Sequence, residues 1–166
     1  MKTESNCPTD STGRKEVFMK YYIAYGSNLD VDQMHRRCQD ARKIGYSIIE
    51  DYELLFRGVG RHYGVATIEP CKGKRVPVGV WMISDQDEQA LDRYEGWPRL
   101  YKKQNFDITV HGQLITAMAY IMTAGHRIVS PSPGYFHTIA QGYRDFGFDL
   151  TVLEQAVENA ERRAGL

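Results

Sequence analysis

Apolar and aromatic residues fall into short runs separated by glycine, proline and charged residues, and this pattern predicts several β-strands. The first strand is predicted over residues 20–25. The middle of the chain, about 43–83, is also predicted to form strands; its segments YGVATIEP and VPVGVWMIS indicate two strands joined by a turn at 71–74. Two more strands are predicted within 102–123, on either side of a turn at His111 and Gly112.

Two helices are predicted after the first strand and in the middle of the chain. The first follows Asp30, where Asp30 and Gln33 resemble a capping box, and it ends near residue 39 or 40. Its apolar positions have the spacing of one helix face: Val31, Met34 and Cys38. Ser84, with Asp87 three residues later, predicts the start of the second helix, and Gly96 predicts its end.

The last third of the chain changes to helical spacing. Apolar positions predict one helix around Tyr135, Ile139 and Tyr143. Thr151 and Glu154 predict a capping box for a final helix, whose apolar side is formed by Leu153, Ala156, Val157 and Ala160. Strands in the middle, with helices after the first strand, at mid-chain and at the end, predict an α+β fold. We expect a closed or strongly curved sheet with helices packed on it.

The length and composition fit one folded domain. The chain has 166 residues with 42% hydrophobic content, which is enough for a core without metal or disulfide support. We assign residues 19–166 to this domain and the polar residues 1–18 to a flexible N-terminal tail. The tail has too few apolar groups to offset the entropy cost of ordering it.

Charge and cysteine usage disfavour several classes of function. The 21 basic and 21 acidic residues give zero net charge, so nothing indicates a nucleic-acid partner. No apolar stretch reaches the ~18–20 residues that cross a bilayer, so no membrane partner is expected. Cys7, Cys38 and Cys71 lie far apart without a zinc-binding spacing, which favours a reducing, cytoplasmic setting and no metal site.

The residues Gly26, Ser27 and Asn28, between the first strand and the first helix, have two interpretations. The ordinary one is a plain turn. The other is an anion-binding cradle, because backbone N–H groups before a helix can converge on one negative group and a glycine lets that group approach closely. The spacing is not that of a P-loop, and Ser27 lacks the second glycine of a hydrolase nucleophile elbow.

Glu95 is a second candidate, at the predicted C-terminal end of a helix, where the helix dipole disfavours a carboxylate. One interpretation is a solvated surface residue. The other is a base: burial among Tyr94, Trp97 and Tyr101 would raise the pKa of the carboxyl, and Trp97-Pro98 would form a rigid wall. A cysteine–histidine nucleophile has no local support, and the tyrosines are typical of core residues with a hydroxyl partner.

Together these motifs resemble the γ-glutamylcyclotransferase family, which includes the AIG2-like proteins. AYGSNL at the end of the first strand, LDRYEG about 70 residues later and PSPGY at the start of a late helix occur in the family's order. The resemblance covers roughly residues 21–153. It implies a small mixed β-barrel-like sheet with flanking helices, in agreement with the α+β fold predicted from the pattern.

The resemblance also implies roles for individual residues. Glu95 matches the family's catalytic glutamate, and Tyr135 matches a tyrosine that contacts the substrate. The family's γ-glutamyl-binding loop corresponds to Tyr22, Ile23, Ala24, Tyr25, Gly26, Ser27, Asn28 and Leu29. In the implied reaction the substrate's α-amino group attacks its own γ-carbonyl, 5-oxoproline forms and the amine leaves, with Glu95 as general acid and base. This chemistry requires no metal or cofactor.

The leaving group is not determined by the motifs. Members of the family act on γ-glutamyl amino acids, γ-glutamyl-ε-lysine, glutathione or a carrier-bound γ-glutamyl group. We therefore expect a small γ-glutamyl substrate as the partner, and a homodimer only by analogy with the family. The alternative function is a non-catalytic AIG2-like module that binds a carboxylate-bearing metabolite in the same pocket. A structural subunit is a third hypothesis, which the composition permits but does not support.

Overall fold

The computed structural model of the chain describes residues 16–59 and 63–165. The strands are β1 (Met19–Ala24), β2 (Arg42–Gly58), β3 (Gly64–Ser84), β4 (Tyr101–Val110) and β5 (Gln113–Met122). The helices are α1 (Val31–Arg37), α2 (Asp85–Glu95), α3 (Pro133–Phe146) and α4 (Thr151–Ala164), and a 3-10 turn, Ser27–Leu29, joins β1 to α1. The predicted α+β class is confirmed. The predicted tail, 1–18, lies outside the described residues except for 16–18.

The strands form one mixed sheet in the order β2-β3-β1-β5-β4. β1 lies at its centre, because it pairs antiparallel with β3, where Ile23 is opposite Val80, and parallel with β5, where Tyr22 is opposite Met118. The outer pairs, β2 with β3 and β4 with β5, are antiparallel. The turn that leaves β1 therefore starts from the middle of the sheet, with strands on both sides.

The sheet is strongly curved but not closed. Its two edge strands, β2 and β4, approach each other: the Ser47 hydroxyl donates to the Thr109 carbonyl at 2.8 Å, and the Tyr52 and Phe106 rings meet edge to face at 5.3 Å. Within the described residues, no backbone pairing joins these two strands. The expectation of a curved, barrel-like sheet is thus confirmed, whereas the closed form of it is wrong.

The predicted turn at 71–74 is a bulge inside one long strand. β3 continues on both sides of it, and Glu50 of β2 is opposite Arg75 while Tyr52 is opposite Pro70. The extra residues are 71–74 of β3, which lie opposite the single residue Asp51 of β2; Asp51 has a φ of 59° and its carboxylate accepts a hydrogen bond from the Gly73 N–H at 2.9 Å. The prediction of two separate strands is wrong because β2 is long enough to pair with both segments.

The start and stop signals of the helices are mostly confirmed. Ser84 and Asp87 form a reciprocal capping box for α2, and Gly96 ends it in the left-handed region with a φ of 66°. The Asp30 carboxylate accepts from the Gln33 N–H at 2.9 Å. The predicted capping box at Thr151 and Glu154 is wrong: Thr151 is already the first helical residue, and its N–H donates to the Asp149 carboxylate at 2.7 Å.

The helices cover the sheet and complete one core. The predicted apolar side of α4 is confirmed, with Leu153, Ala156 and Ala160 buried and Val157 partly buried against the core. α3 packs against the 3-10 turn, and its Gly142 touches the backbone of Leu29 and Asp30. None of the described helices combines the length and the apolar character that crossing a bilayer requires.

The contact at Gly142 makes a stability prediction. A Cβ added there would lie 2.5 Å from the Leu29 carbonyl carbon and 2.6 Å from the Asp30 nitrogen, so Gly142→Ala must push α3 away from the turn. We expect a loss of roughly 3 kcal/mol in the free energy of unfolding, measured by urea denaturation.

Gly134→Ala is the matched control, because a Cβ at Gly134 of the same helix meets nothing within 4 Å. It should be neutral or stabilising by up to about 1 kcal/mol. Equal urea midpoints for the two alanine variants would show that α3 does not lie this close to the turn.

Candidate active site

A cavity of about 180 Å³ opens where β1 runs into the 3-10 turn. Its polar walls are the loop residues Gly26, Ser27 and Asn28, the carboxylate Glu95, and six tyrosines: Tyr22, Tyr25, Tyr94, Tyr101, Tyr120 and Tyr135. Its apolar walls are Val65, Ala66 and Leu100. The loop and the glutamate that the sequence singled out, 67 residues apart, therefore face one space.

A direct contact joins these two candidates. The side-chain amide nitrogen of Asn28 donates to Oε1 of Glu95 at 3.3 Å and to the Tyr22 hydroxyl at 2.8 Å. A second link connects the loop with the same helix, because the hydroxyls of Ser27 and Tyr94 lie 2.9 Å apart. Neither the plain-turn interpretation of the loop nor the solvated-surface interpretation of Glu95 accounts for this arrangement.

The loop has the form of a tight turn with free donors. Its carbonyls at Gly26 and Ser27 accept from the N–H groups of Leu29 and Asp30 at 3.0 and 3.1 Å. Over the part of the chain that the structure describes, the N–H groups of Ser27 and Asn28 have no acceptor. Backbone donors of this kind at a wall of a cavity are suited to an anionic or carbonyl oxygen.

Gly26 is closely packed against the facing wall of the cavity. A Cβ at this position would lie 3.1 Å from the Cβ of Ala66 and 3.5 Å from the Tyr135 hydroxyl oxygen. Tyr135 therefore reaches across the loop, and its hydroxyl accepts from the Ala66 N–H at 3.1 Å. A side chain at residue 26 would require Ala66 to move by a few tenths of an ångström.

Glu95 is the last residue of α2 and is only partly accessible. Burial of its carboxyl group raises the pKa to about 7, although the nearby Arg37 guanidinium acts in the opposite direction. We expected aromatic residues to bury this carboxyl. The tyrosines that line the cavity do so, Tyr94 and Tyr101 among them. A carboxyl with this pKa changes its charge near neutral pH.

Three tyrosines of the cavity, Tyr22, Tyr25 and Tyr101, remain protonated at neutral pH. Burial raises the pKa of Tyr22, Tyr25 and Tyr101 well above the ordinary value, and the negative charge of Glu95 adds to the effect. Two of their hydroxyls are held by backbone carbonyls: Tyr101 donates to the Ala66 carbonyl at 2.6 Å, and Tyr25 donates to the Tyr120 carbonyl. The Tyr22 hydroxyl accepts from the Asn28 amide nitrogen. These tyrosines therefore give the cavity fixed, neutral polar groups beside the ionisable Glu95.

Several predicted residues lie away from the cavity. Ile23, Ala24 and Leu29 are almost completely buried in the core and do not line it, so a substrate-contacting role for them stays a prediction. The expected wall at Trp97 is wrong: its side chain is 43% exposed and lies under the Lys103 ammonium, 4.1 Å from the ring centre. The residues after Gly96 turn outward, so Leu100 and Tyr101 form the wall instead.

Arg37 is a residue of this site that the sequence patterns did not identify. Its guanidinium donates to the Asn28 amide oxygen and stacks on the Tyr94 ring, 3.4 Å from the ring centre. The one available signal was its spacing: it follows the buried Met34 by three residues, on the inner side of α1, whereas Arg36 is exposed. Nothing local indicated that it would reach the loop.

The other candidate chemistry has little support in the structure. Burial raises the pKa of the Cys38 thiol to about 12, so it is protonated and unreactive, and Cys71 is partly buried as a free cysteine. Cys7 lies outside the described residues. Within those residues, no group of three or more His, Cys, Asp or Glu side chains could hold a metal ion.

Comparison with known proteins gives consistent matches over most of the chain. A family profile described as "Gamma-glutamyl cyclotransferase, AIG2-like" matches residues 22–138. A Homo sapiens protein named gamma-glutamylcyclotransferase is 31% identical over 159 residues, which covers 91% of this chain and 83% of that one. A Bos taurus protein of the same name is 32% identical over 137 residues, covering 78% and 72%.

The fold is shared as well. A solved structure named gamma-glutamyl cyclotransferase superposes with a TM-score of 0.75 at 27% sequence identity, covering 84% of this chain and 86% of that one. The profile match includes the loop, Glu95 and Tyr135. Sequence, fold and cavity lead to the same assignment: the chain belongs to the gamma-glutamyl cyclotransferase, AIG2-like family.

Proposed function

We propose that this protein is a γ-glutamyl cyclotransferase that converts a γ-glutamyl amine or amino acid to 5-oxoproline and the free amine, with Glu95 as general acid and base. One observation carries the proposal: a carboxyl whose pKa burial raises to about 7 faces the same cavity as the Gly26 loop. The relatives named gamma-glutamylcyclotransferase, at 31% and 32% identity, support the reaction type.

The reaction is balanced without water or a cofactor. The substrate's α-amino nitrogen forms a bond to its own γ-carbonyl carbon, and the bond from that carbon to the leaving nitrogen breaks. Glu95 takes a proton from the α-ammonium, which cannot attack while protonated, and returns it to the leaving nitrogen. The second proton that the α-nitrogen loses when it becomes the lactam N–H also goes to the released amine, which leaves as an ammonium ion. Because the nucleophile is part of the substrate, the protein's main task is to hold the folded conformation in which the two reacting atoms meet.

The walls of the cavity fit the charges of a γ-glutamyl group. Its α-ammonium would lie beside the Glu95 carboxylate. The unpaired N–H groups of Ser27 and Asn28 and the tyrosine hydroxyls offer neutral donors, which either hold the α-carboxylate or polarise the γ-carbonyl oxygen. Tyr135, which touches the loop across Gly26, would contact the substrate there.

We also propose that the enzyme works in the cytoplasm. The cysteines Cys38 and Cys71 are free, as expected for a reducing, cytoplasmic compartment. A small γ-glutamyl compound is the proposed partner. A homodimer is proposed only by analogy with the family.

A turnover assay tests the function directly. Incubation with γ-glutamyl-alanine and with γ-glutamyl-ε-lysine should release 5-oxoproline from at least one of them, detected by chromatography. Glu95→Gln should lower kcat by at least about 10²-fold, because the amide cannot accept the proton. Glu158→Gln, an exposed change on α4, is the control and should leave turnover unchanged.

Two results would contradict the assignment. Full activity of a folded Glu95→Gln protein would exclude Glu95 as the acid–base group. Absence of 5-oxoproline from a panel of γ-glutamyl compounds, combined with thermal stabilisation by one of them, would instead favour the non-catalytic binding module.

The pH dependence of turnover gives a second test. Only the ionised carboxylate can accept a proton, so kcat/KM should fall tenfold per pH unit below about pH 7, the pKa of Glu95 in the free protein. If kcat/KM instead falls with a midpoint at pH 4–5, the base in the reaction is a carboxyl with an ordinary pKa.

The same pKa predicts how stability changes with pH. A folded-state pKa of about 7 against an ordinary 4.5 means that the folded state binds more protons, so the free energy of unfolding falls as pH rises from 4.5 to 7. Glu95→Gln removes this loss. The free energy of unfolding of Glu95→Gln, taken relative to that of wild type, should be about 3 kcal/mol higher at pH 8 than at pH 4, measured by urea denaturation at both values. An equal difference at the two pH values would contradict the burial of the charge.

A further inference from the structure

Arg37 ends α1 and clamps two parts of the active site at once. Its guanidinium donates to the Asn28 amide oxygen on the loop and stacks on Tyr94, the residue before Glu95. α1 is itself tied to the start of α2, because the Cys38 thiol donates to the Asp87 carbonyl and the Asp40 N–H donates to the Asp87 carboxylate at 3.3 Å. These contacts fix the C-terminal end of α1, and with it the position of Arg37.

The amide of Asn28 could face Glu95 with either of its two ends. With the nitrogen toward Glu95 it donates to the carboxylate, and with the oxygen toward Glu95 it would place two acceptors together. An arginine has only donors, so its contact with the Asn28 oxygen permits just one orientation. Nδ2 must then point to Glu95 and Tyr22, as it does at 3.3 and 2.8 Å.

We propose that Arg37 is a positioning residue, which occupies the amide oxygen of Asn28 and thereby locks the amide nitrogen onto the Glu95 carboxylate. The proposal rests on the acid–base role proposed for Glu95, and it adds a residue that acts on Glu95 without touching the substrate. The lock favours the ionised carboxylate, because both the donated hydrogen bond and the positive charge stabilise the negative form.

The electrostatic effect on the Glu95 carboxylate comes from Arg37 rather than from the other titratable groups that face it. The facing titratable groups are Tyr22 and Tyr25 from β1 and its loop, Tyr94 from α2, Tyr101 from β4, Tyr120 from β5, Tyr135 from α3, and Cys38 beside Tyr22. Burial raises the pKa of Tyr22, Tyr25, Tyr101, Tyr120, Tyr135 and Cys38, so these groups are neutral at neutral pH. Arginine keeps its charge throughout this range.

Arg37→Met tests the lock, because methionine keeps much of the apolar stem but has no charge and no donor. Carbon-13 labelling of glutamate allows the Glu95 carboxyl to be titrated by NMR, with Glu95→Gln identifying its signal. We expect the pKa of Glu95 to rise by about one unit in Arg37→Met, and the acid limb of kcat/KM to move to higher pH by the same amount. Arg37→Lys should restore part of the shift.

Arg36→Met is the matched control, since it removes the same charge from the exposed neighbouring position of α1. It should leave the Glu95 titration unchanged. The orientation itself is read from the side-chain NH₂ signals of Asn28, assigned by their loss in Asn28→Asp. In wild type these two protons should be distinct and slow to exchange, and in Arg37→Met they should exchange at least tenfold faster.

The outcomes separate this role from the proposed activity. A Glu95 pKa in Arg37→Met equal to that in Arg36→Met, or unchanged Asn28 signals, overturns the lock. Both NMR measurements are independent of turnover. A wild-type protein that forms no 5-oxoproline would contradict the proposed function, while the shifts in Arg37→Met would still support the Arg37–Asn28–Glu95 connection.

Discussion

The geometry of the site depends on one buried residue, Asn28, through its side-chain amide and its backbone carbonyl. Its amide nitrogen donates to Tyr22 and Glu95, its amide oxygen accepts from Arg37, and its backbone carbonyl accepts from the Trp81 indole at 3.2 Å. A buried amide that loses a partner costs about 1–3 kcal/mol, so the folded state keeps all four contacts together. The partners come from β1, α2, α1 and β3, and Asn28 therefore fixes four elements relative to one another.

The lengths of two elements explain how Glu95 reaches this point. β3 ends at Ser84, which is opposite Met19, the first residue of β1. α2 starts there and has 11 residues, which rise about 16 Å. The six residues of β1 cover about 20 Å in the same region. A helix that returns along β1 thus brings its last residue, Glu95, close to the loop where β1 ends.

Local signals predicted the elements and the two halves of the site, whereas long-range contacts decided the rest. The capping box at Ser84 and the glycine at 96 depend on residues within one turn, so the sequence was sufficient for them. At 71–74 the local signal predicted a turn between two strands, but the partner strand β2 continues past Asp51, so β3 stays one strand with a bulge at this point. Trp97 and Arg37 could not be placed, because their positions depend on tertiary contacts with Lys103 and with Asn28.

The burial of Glu95 links the stability of this fold to its proposed chemistry. Raising the carboxyl pKa from 4.5 to about 7, at 1.36 kcal/mol per unit, makes proton transfer from an ammonium group easier by about 3 kcal/mol. The folded protein loses the same free energy when it holds the ionised group at higher pH. Arg37 opposes part of this shift, and it does so from behind Asn28, where its charge does not occupy the cavity. The Glu95 carboxylate therefore stays open to the cavity, where the ammonium group of a substrate would pair with its negative charge.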